Sequence, residues 1–515
     1  VNIGFGLLLT ITNEKRLNYI INTIMLKRKI QLLFMMLMLS FYVKAQGTKP
    51  NALQMQAIKR GYGMFISFGI NTFNQTEWSN GTLPASSYNP TQLDCDKWVA
   101  DAKEAGMRYV LLITKHHDGF CMWDSKYTDY DVASSPVKTD VIKAVAIACK
   151  KYGVQLGLYY SLWDRHEPTF KDPDPQKYIT YMKNQLTEIL TNYGPICELW
   201  FDGPWHRKVE DYDIPGVYAL VHKLQPSCAM TVNHTIGVGQ DDKQIGKPSN
   251  FKEGDIIRFY PVDFRTKDPN LVRSDDPKMY SYQGELHYLP FEHTICISDR
   301  WNWFQKKEIL PARPLDELEQ MFYWTTANDN VLLLNYPPDE TGRPRENERQ
   351  RLFELADRLG IRGGNKPLPA GPINLAMMQT ATASSTYKNF SPDKAIDTNM
   401  DSYWMAADTV SSLEIAFNKC VKFDQVSLFE YADLKDLGDG FSIERKFRIK
   451  QYNVESFKGK VWKIIKTGTE IGPCATIKFP RLLKTQKLRI NILQATKPAG
   501  LYHVIVSNSS TRHNR

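Results

Sequence analysis

The sequence predicts an α/β fold, a (β/α)8-like barrel, followed by a C-terminal all-β sandwich. Three observations predict it. From about residue 60 to about residue 345, helical periods alternate with short apolar runs. Each helical stretch closes on a glycine or a polar turn before the next run begins. Beyond residue 373 the helical period disappears, and short β-like runs separated by polar turns replace it.

The elements follow in order. Residues 64–70 form the first predicted strand. Cys95, Trp98, Val99 and Ala102 then recur at helical spacing, Gly106 supplies a stop, and residues 107–114 make an apolar strand. Thr139 and Asp140 cap a helix carrying Val141, Val145, Ala148 and Cys149. Gly153 ends it, and residues 154–161 form the next strand. A third cycle runs from Gln176 through Ile179, Leu186 and Ile189 to Gly194, then to the strand at 196–201. A fourth pairs a helix near 217–224 with a strand at 228–233, and residues 331–335 form the last strand. More than four such units in roughly 300 residues favour closure into a barrel. A doubly wound open sheet is the runner-up, without a G-x-G-x-x-G after the first strand to support it. Residues 239–287 show no strong helical period, so one or two units are expected to be irregular.

Residues 359–373, rich in glycine and proline, read as a linker. The runs at 413–417, 426–429 and 488–493 then predict a β-sandwich over residues 374–515. At the other end, Lys27-Arg28-Lys29 precede an apolar stretch at 30–43 and the small residue Ala45. That pattern predicts a secretory signal peptide at 1–45, hence a periplasmic or secreted protein. Met25 precedes the basic cluster, so residues 1–24 read as an upstream overrun. The apolar stretch falls short of the about 20 residues of a membrane span. The barrel is thus expected over residues 46–358.

The net charge of +9 owes part of its excess to Lys15, Arg16, Lys27, Arg28 and Lys29. Elsewhere the charges are interspersed, with no basic stripe, which excludes nucleic acid as a partner. The eight cysteines show no C-x-x-C spacing, so a zinc cluster is excluded and buried free thiols are expected. The 12% aromatic share suits sugar binding, and suits large aromatic cores as well.

In a barrel of this kind chemistry sits at the C-terminal ends of strands. The first predicted strand is followed by Glu77-Trp78, the second by Lys115-His116-His117-Asp118-Gly119-Phe120. The third ends in Tyr159 to Asp164 and the fourth in Trp200-Phe201-Asp202-Gly203. Neutral imidazole donates and accepts, so His116 and His117 suit hydroxyl recognition; a structural pair or a metal site is the alternative. An isolated Asp-Gly is by default a turn. At a strand end beside a His-His loop, Asp202 reads instead as a nucleophilic carboxylate. A retaining glycosidase then needs a protonated partner about 5–5.5 Å away. Glu292, set between Leu289-Pro290-Phe291 and Trp301 and Trp303, fits that role, with Glu285 and Glu253 as rivals.

These motifs resemble glycoside hydrolase family 29, the retaining α-L-fucosidases, over roughly residues 62–342. The resemblance rests on Gly63-Met64-Phe65-Ile66, Glu77-Trp78, the Lys115 to Phe120 string, Leu199 to Gly203, and Leu332-Leu333-Leu334-Asn335. It implies Asp202 as nucleophile and a fucose pocket of Glu77, Trp78, His116, His117, Tyr159 and Trp200, to which Trp303 is added. It implies Glu292 as acid/base in the branch preferring α-1,3 and α-1,4 linkages, fucosylated oligosaccharides or glycoconjugates as partners, and no cofactor for catalysis. One departure stands out: Ser67 replaces the family's first-strand histidine. The C-terminal region resembles a discoidin-like (F5/8 type C) domain through Asn374-Leu375-Ala376, Ala381 to Ser385, and Ser391 to Trp404. That resemblance implies a structural Ca2+ with Asp397 and Asp401 as candidate ligands. Two other readings stay open. One is a non-catalytic fucose- or glycan-binding protein, the other a retaining barrel glycosidase for another neutral or deoxy sugar.

Overall fold

The computed structural model describes residues 49–238, 246–301, 303–304, 311–436 and 443–512. The predicted signal peptide lies outside them. Helix α1 (Ala52–Arg60) opens on Asn51, which exchanges hydrogen bonds with Gln54 in a capping box. Strand β1 (Tyr62–Ile66) follows directly. The strand expected over residues 64–70 ends at Ile66, and the short helix α2 (Ile70–Asn74) begins at the last of those residues. After it come α3 (Cys95–Glu104), β2 (Tyr109–Lys115), α4 (Val141–Tyr152), β3 (Gln155–Ser161), α5 (Pro175–Thr191), β4 (Ile196–Asp202), α6 (Ile214–Leu224) and β5 (Ala229–Val232). Helices α3, α4 and α5 each open on an aspartate, Asp94, Asp140 and Asp174, whose side chain accepts a first-turn N–H.

The expected irregular stretch holds a loop and a hairpin, β6 (Met279–Tyr282) and β7 (Glu285–Tyr288), with no helix longer than three residues among its described residues. The alternation then resumes with β8 (Glu292–Cys296), α7 (Leu315–Thr325), β9 (Val331–Asn335) and α8 (Glu346–Leu359).

Seven strands form one parallel sheet in the order β5-β4-β3-β2-β1-β9-β8. Its strands are buried on both faces, which is why β2 reads Tyr-Val-Leu-Leu-Ile-Thr-Lys without alternation. Both sheet edges meet residues 263–266. Asp263 N–H donates to Met230 on β5, Arg265 N–H donates to Pro290, and Glu292 N–H on β8 donates to Arg265. One face packs on the helices. The other carries a separate cluster that includes Phe65, Leu111, Ile113, Tyr159, Trp200 and Phe264.

The end of the sheet where its strands begin holds an ionisable cluster. Arg60, at the end of α1, pairs with Glu198 of β4 at 2.9 Å. Tyr109, the first residue of β2, donates its hydroxyl to Glu292, the first of β8, at 2.6 Å. Burial and the adjacent Glu198 charge hold the Glu292 carboxyl well above the usual range. Burial raises the Glu198 carboxyl as well, opposed by Arg60, and the two carboxyls act on each other directly.

The C-terminal region is antiparallel. Its strands are β10 (Thr380–Ala383), β11 (Trp404–Met405), β12 (Ser411–Glu430), β13 (Ala432–Asp436), β14 (Ile443–Phe447), β15 (Ile449–Lys458), β16 (Val461–Gly468), β17 (Ala475–Ala495) and β18 (Gly500–Ser507). The main sheet runs β11-β18-β12-β17-β15-β16, with β10 on β12; β13 and β14 form a hairpin. Strands β12 and β17 pair along most of their length with register shifts between Ala416 and Val421 and between Phe423 and Gln425. Such breaks let a long strand bend. All eight cysteines are free, six of them buried.

The region grips the parallel sheet's surroundings at two places. Arg445 on β14 binds Glu317 of α7 at 2.8 Å and also Asp299. Ser249 donates to Asp401 at 2.6 Å, and Ser274 N–H to the Thr398 carbonyl at 2.9 Å.

Arg60→Met strips Glu198 of its buried cation, and a loss of about 3 kcal/mol is expected in urea denaturation. An unchanged midpoint would show that Glu198 is neutral in the wild type.

Candidate active site

The site is built on a buried ion pair. Lys115, last residue of β2, places its Nζ 2.7 Å from Asp164 and 2.8 Å from the Tyr160 hydroxyl, with both charged side chains inaccessible to solvent. Asp164 also accepts from the His166 and Glu167 N–H groups of its own loop, and Arg165 N–H donates to the His117 carbonyl at 3.0 Å, tying the loop after β3 to the loop after β2. Gly119 lies at φ +88°, and a Cβ there would sit 2.3 Å from the Asp164 carboxylate, so only glycine fits. This packing accounts for the Lys-His-His-Asp-Gly-Phe string.

Asp202, last residue of β4, is 7% exposed. Its Oδ1 accepts from Gly203 N–H at 2.8 Å and from the Asn233 Nδ2 at 2.9 Å. Its Oδ2 accepts from the Tyr159 hydroxyl at 2.7 Å. Two donors fill the lone pairs of Oδ1, so Oδ2 is the oxygen with one to share. Gly203, at φ +71°, would bring a Cβ within 2.7 Å of Trp163 and 3.0 Å of His117. The glycine after the aspartate is a packing requirement.

The two histidines present opposite faces. Ser161 donates to the Trp163 carbonyl at 2.6 Å, so it accepts from His117 Nδ1 at 2.7 Å. This leaves His117 Nε2, 3.6 Å from Asp202 Oδ2, as an acceptor. Asn71 Nδ2 donates to the Glu77 carbonyl at 2.6 Å and to His116 Nδ1 at 3.2 Å, which makes His116 Nε2 a donor. Burial keeps both rings neutral, lowering His116 well below the ordinary imidazole value and His117 to about 3. A donor and an acceptor side by side match hydroxyl groups.

Glu77 is buried, and its Oε1 accepts from the indole N–H groups of Trp301 (2.7 Å) and Trp303 (3.2 Å). Burial raises its carboxyl to about 8 against the pull of those two bonds. The proton therefore belongs on Oε2, which has no hydrogen-bond partner. The Trp200 indole N–H is a second buried donor without an acceptor, and its ring stacks on Tyr159 at 5.4 Å. Trp78, 41% exposed, leans on His117, Trp163 and Trp205 with ring centroids 5.9–6.2 Å apart. Trp303 packs edge-on to His116 at 5.2 Å. The result is a cluster of aromatic rings and polar groups gathered around the buried carboxylate of Asp202.

A family model of α-L-fucosidases matches residues 53–364, more than half of the chain. The chain belongs to the α-L-fucosidase family. It is 29% identical to Alpha-L-fucosidase 1 of Arabidopsis thaliana over 90% of this chain and 88% of that one. It is 32% identical to an Alpha-L-fucosidase of Branchiostoma floridae over 54% and 57% of the two chains. The fold is similar to that of SpGH29 (24% identity, TM-score 0.52, covering 90% of this chain and 98% of that one). It is also similar to a glycoside hydrolase 29 family member from an unknown rumen bacterium (24% identity, TM-score 0.54, covering 91% and 78%).

Within this α-L-fucosidase family member, the predicted residues Glu77, Trp78, His116, His117, Tyr159, Trp200, Trp303 and Asp202 converge. Glu292 does not join them. Its neighbour Glu198, the third residue of β4, stands four residues before Asp202, about 13 Å along the strand. The pattern Pro-Phe-Glu-His marks a strand's start, and the side chain faces Tyr109 at the far end of the sheet. Its setting is apolar and burial raises its carboxyl, but it opens its strand at the end of the sheet opposite Asp202. The rivals Glu253 and Glu285 are exposed, the latter on the β6–β7 hairpin.

Ser67 is buried and donates to Asn335 at 2.9 Å, so it serves the sheet interior. Asp397 accepts from Ser402 and from Asn399 N–H within its own turn, while Asp401 reaches Ser249. Their oxygens serve a turn and an interface. No cluster of three or more His, Cys, Asp or Glu side chains suited to a metal occurs among the described residues. Sequence reasoning missed Asn233 and Asp268. Asn233 ends a predicted strand and was open to the strand-end argument; Asp268 lies in the stretch without periodicity, where that argument had no strand to apply to.

Two outcomes are expected. Glu292→Gln, which mimics the neutral acid, retains near wild-type fucoside hydrolysis; a loss of about 10²-fold or more would return Glu292 to the chemistry. Glu77 has a folded-state value above its unfolded one. Its contribution to stability is therefore full below about pH 4.5 and lost as pH rises to about 8. Denaturation series at pH 5 and pH 8 should show a smaller decline for Glu77→Gln, and equal declines would refute the assignment.

Proposed function

We propose that this chain removes terminal α-linked L-fucose from glycans with net retention, using Asp202 as the nucleophile. The observation that supports this best is the Asp202 carboxylate at a strand end. Three donors orient it and leave one lone pair of Oδ2 directed toward neutral His117. In the first step Oδ2 attacks the anomeric carbon as the bond to the aglycone oxygen breaks and that oxygen takes a proton. In the second, water attacks the same carbon, loses a proton, and releases Asp202 from the ester. His116, His117, neutral Glu77 and Trp200 supply the donors and acceptors that a sugar's hydroxyls need. The aromatic faces suit the C–H surfaces and methyl group of a deoxy sugar. The reaction of this family needs no cofactor.

The same reading extends to architecture. The seven-stranded sheet with residues 263–266 across its edges makes an eight-membered (β/α)8-like barrel within residues 46–358. Residues 359–373 link it to residues 374–515, a discoidin-like sandwich supported by the antiparallel pairing and the bends in β12 and β17. The segment at 1–45 directs export to the periplasm or beyond. The preference for α-1,3 and α-1,4 linkages rests on sequence resemblance, and hydrolysis of a panel of linkage-defined fucosyl oligosaccharides tests it.

Proton NMR during hydrolysis of an aryl α-L-fucoside should show α-L-fucose as the first-formed anomer; β-L-fucose appearing first would overturn retention. Asp202→Asn should lower kcat/KM by about 10³-fold or more with the fold intact by circular dichroism. Wild-type-like turnover in that variant would sink the nucleophile assignment.

A further inference from the structure

We propose that Asp268 is the acid/base partner of Asp202. The proposal rests on the retaining reading above and supplies the group that Glu292 does not.

The geometry centres on one amide. Asn233 Oδ1 accepts from His234 N–H at 2.9 Å and from Asp268 N–H at 3.3 Å, which fixes which way the amide faces. Its Nδ2 therefore points its two N–H bonds at two carboxylates, Asp202 Oδ1 at 2.9 Å and Asp268 Oδ1 at 2.5 Å. Two hydrogen bonds diverging from one planar nitrogen at about 120° put those oxygens about 4.7 Å apart. Retaining glycosidases hold their carboxyl pair about 5–5.5 Å apart, and inverting ones about 6.5–9.5 Å, so the pair lies on the retaining side.

The topology explains the placement. Asp202 ends β4, Asn233 follows β5, and Asp268 follows residues 263–266, which hydrogen-bond to β5. Three neighbouring strand-like segments thus deliver a nucleophile, a bridging amide and a second carboxyl to the same end of the sheet. Burial comes first in raising the Tyr159 phenol, and the charges of Asp202 and Asp268 then add to it, as expected where the two carboxylates flank one pocket.

Exposure separates the roles. Asp202 is buried, as suits a group that needs only the anomeric carbon, whereas Asp268 is half-buried, as suits one that must meet a leaving group and then water. Glu77, the other carboxyl near Asp202, is enclosed by two indoles. Protonated Asp268 gives its proton to the aglycone oxygen as Asp202 forms the ester. As carboxylate it then takes a proton from the attacking water, which restores both groups.

The test uses the full chain with Asp268→Asn, which keeps the size and one acceptor for Asn233, and Asp268→Ala. On an α-fucosyl disaccharide both variants should lose about 10² to 10⁴-fold in kcat/KM. On a nitrophenyl α-L-fucoside, whose leaving group needs no proton, the first step should survive. Nitrophenol then appears as a burst followed by slow turnover. Azide should restore turnover of Asp268→Ala and give α-L-fucosyl azide, because it displaces Asp202 from the intermediate. Azide acting with Asp202→Ala should instead give the β-azide by direct attack on the substrate. Near wild-type disaccharide cleavage by both Asp268 variants would overturn the proposal. So would the burst and α-azide appearing with Glu77→Gln and not with Asp268→Ala. If Asp268→Ala does not fold, the Asp268→Asn burst and disaccharide loss decide the question. Failure of the retaining reading is distinguishable, since wild type would then release β-L-fucose first.

Discussion

The Lys115–Asp164 pair is the contact on which the rest of the site depends. Burial works against the Lys115 ammonium, and the Asp164 carboxylate together with the neighbouring Tyr178 and Cys121 more than offsets it. A pair enclosed in this way is costly to separate, so it ties the loops after β2 and β3 together. His116 and His117 directly follow Lys115, and Ser161 and Trp163 directly precede Asp164. The tautomer of His117, set by Ser161, is therefore held by the same bond that holds its backbone. Tyr159 and Asp202 lie on neighbouring strands in register, Tyr159 opposite Trp200 and Ser161 opposite Asp202.

The two ends of the sheet treat carboxyl groups in opposite ways. Where strands begin, Glu198 and Glu292 share one guanidinium and one proton, and that region needs nothing more. Where strands end, Asp202 is satisfied by neutral donors from Gly203, Asn233 and Tyr159, and no cation sits on it among the described residues. A carboxylate locked to arginine is a poor nucleophile. One held by neutral donors stays oriented and keeps its charge for use. The same functional group, a carboxyl, is set beside arginine at one end of the sheet and held by neutral donors at the other.

Much of this was legible in the sequence. Periodicity marks four strand–helix cycles, and Glu77, His116, His117, Tyr159 and Asp202 stand at or after the strand ends in the sequence itself. What it could not supply was direction within a strand. Glu292 has the apolar neighbours and raised pKa of a catalytic acid, but sequence does not say whether it opens or closes its strand. The first strand was also expected to run to residue 70, whereas α2 takes over there. Apolar composition alone does not separate a buried strand from a short buried helix. Asp268 was invisible for a different reason. Residues 263–266 join both sheet edges through backbone bonds, without the alternation that would mark them as a strand. Distal partners, such as Asn233 for Asp268 at a separation of 35 residues, are set by topology rather than by local pattern.

The contacts of Asp401 with Ser249 and of Thr398 with Ser274 give the C-terminal region a meaning beyond attachment. Both touch the irregular stretch between β5 and β8, the one part of the parallel-sheet unit not braced by a covering helix among its described residues. A turn that resembles a metal-binding loop is used here as a splint. In evolutionary terms the two regions are not interchangeable cassettes. A different C-terminal module joined to this chain would have to reproduce a carboxylate and a carbonyl at those two points. Otherwise the irregular segment, with the pocket wall it carries, would be left to find its own shape.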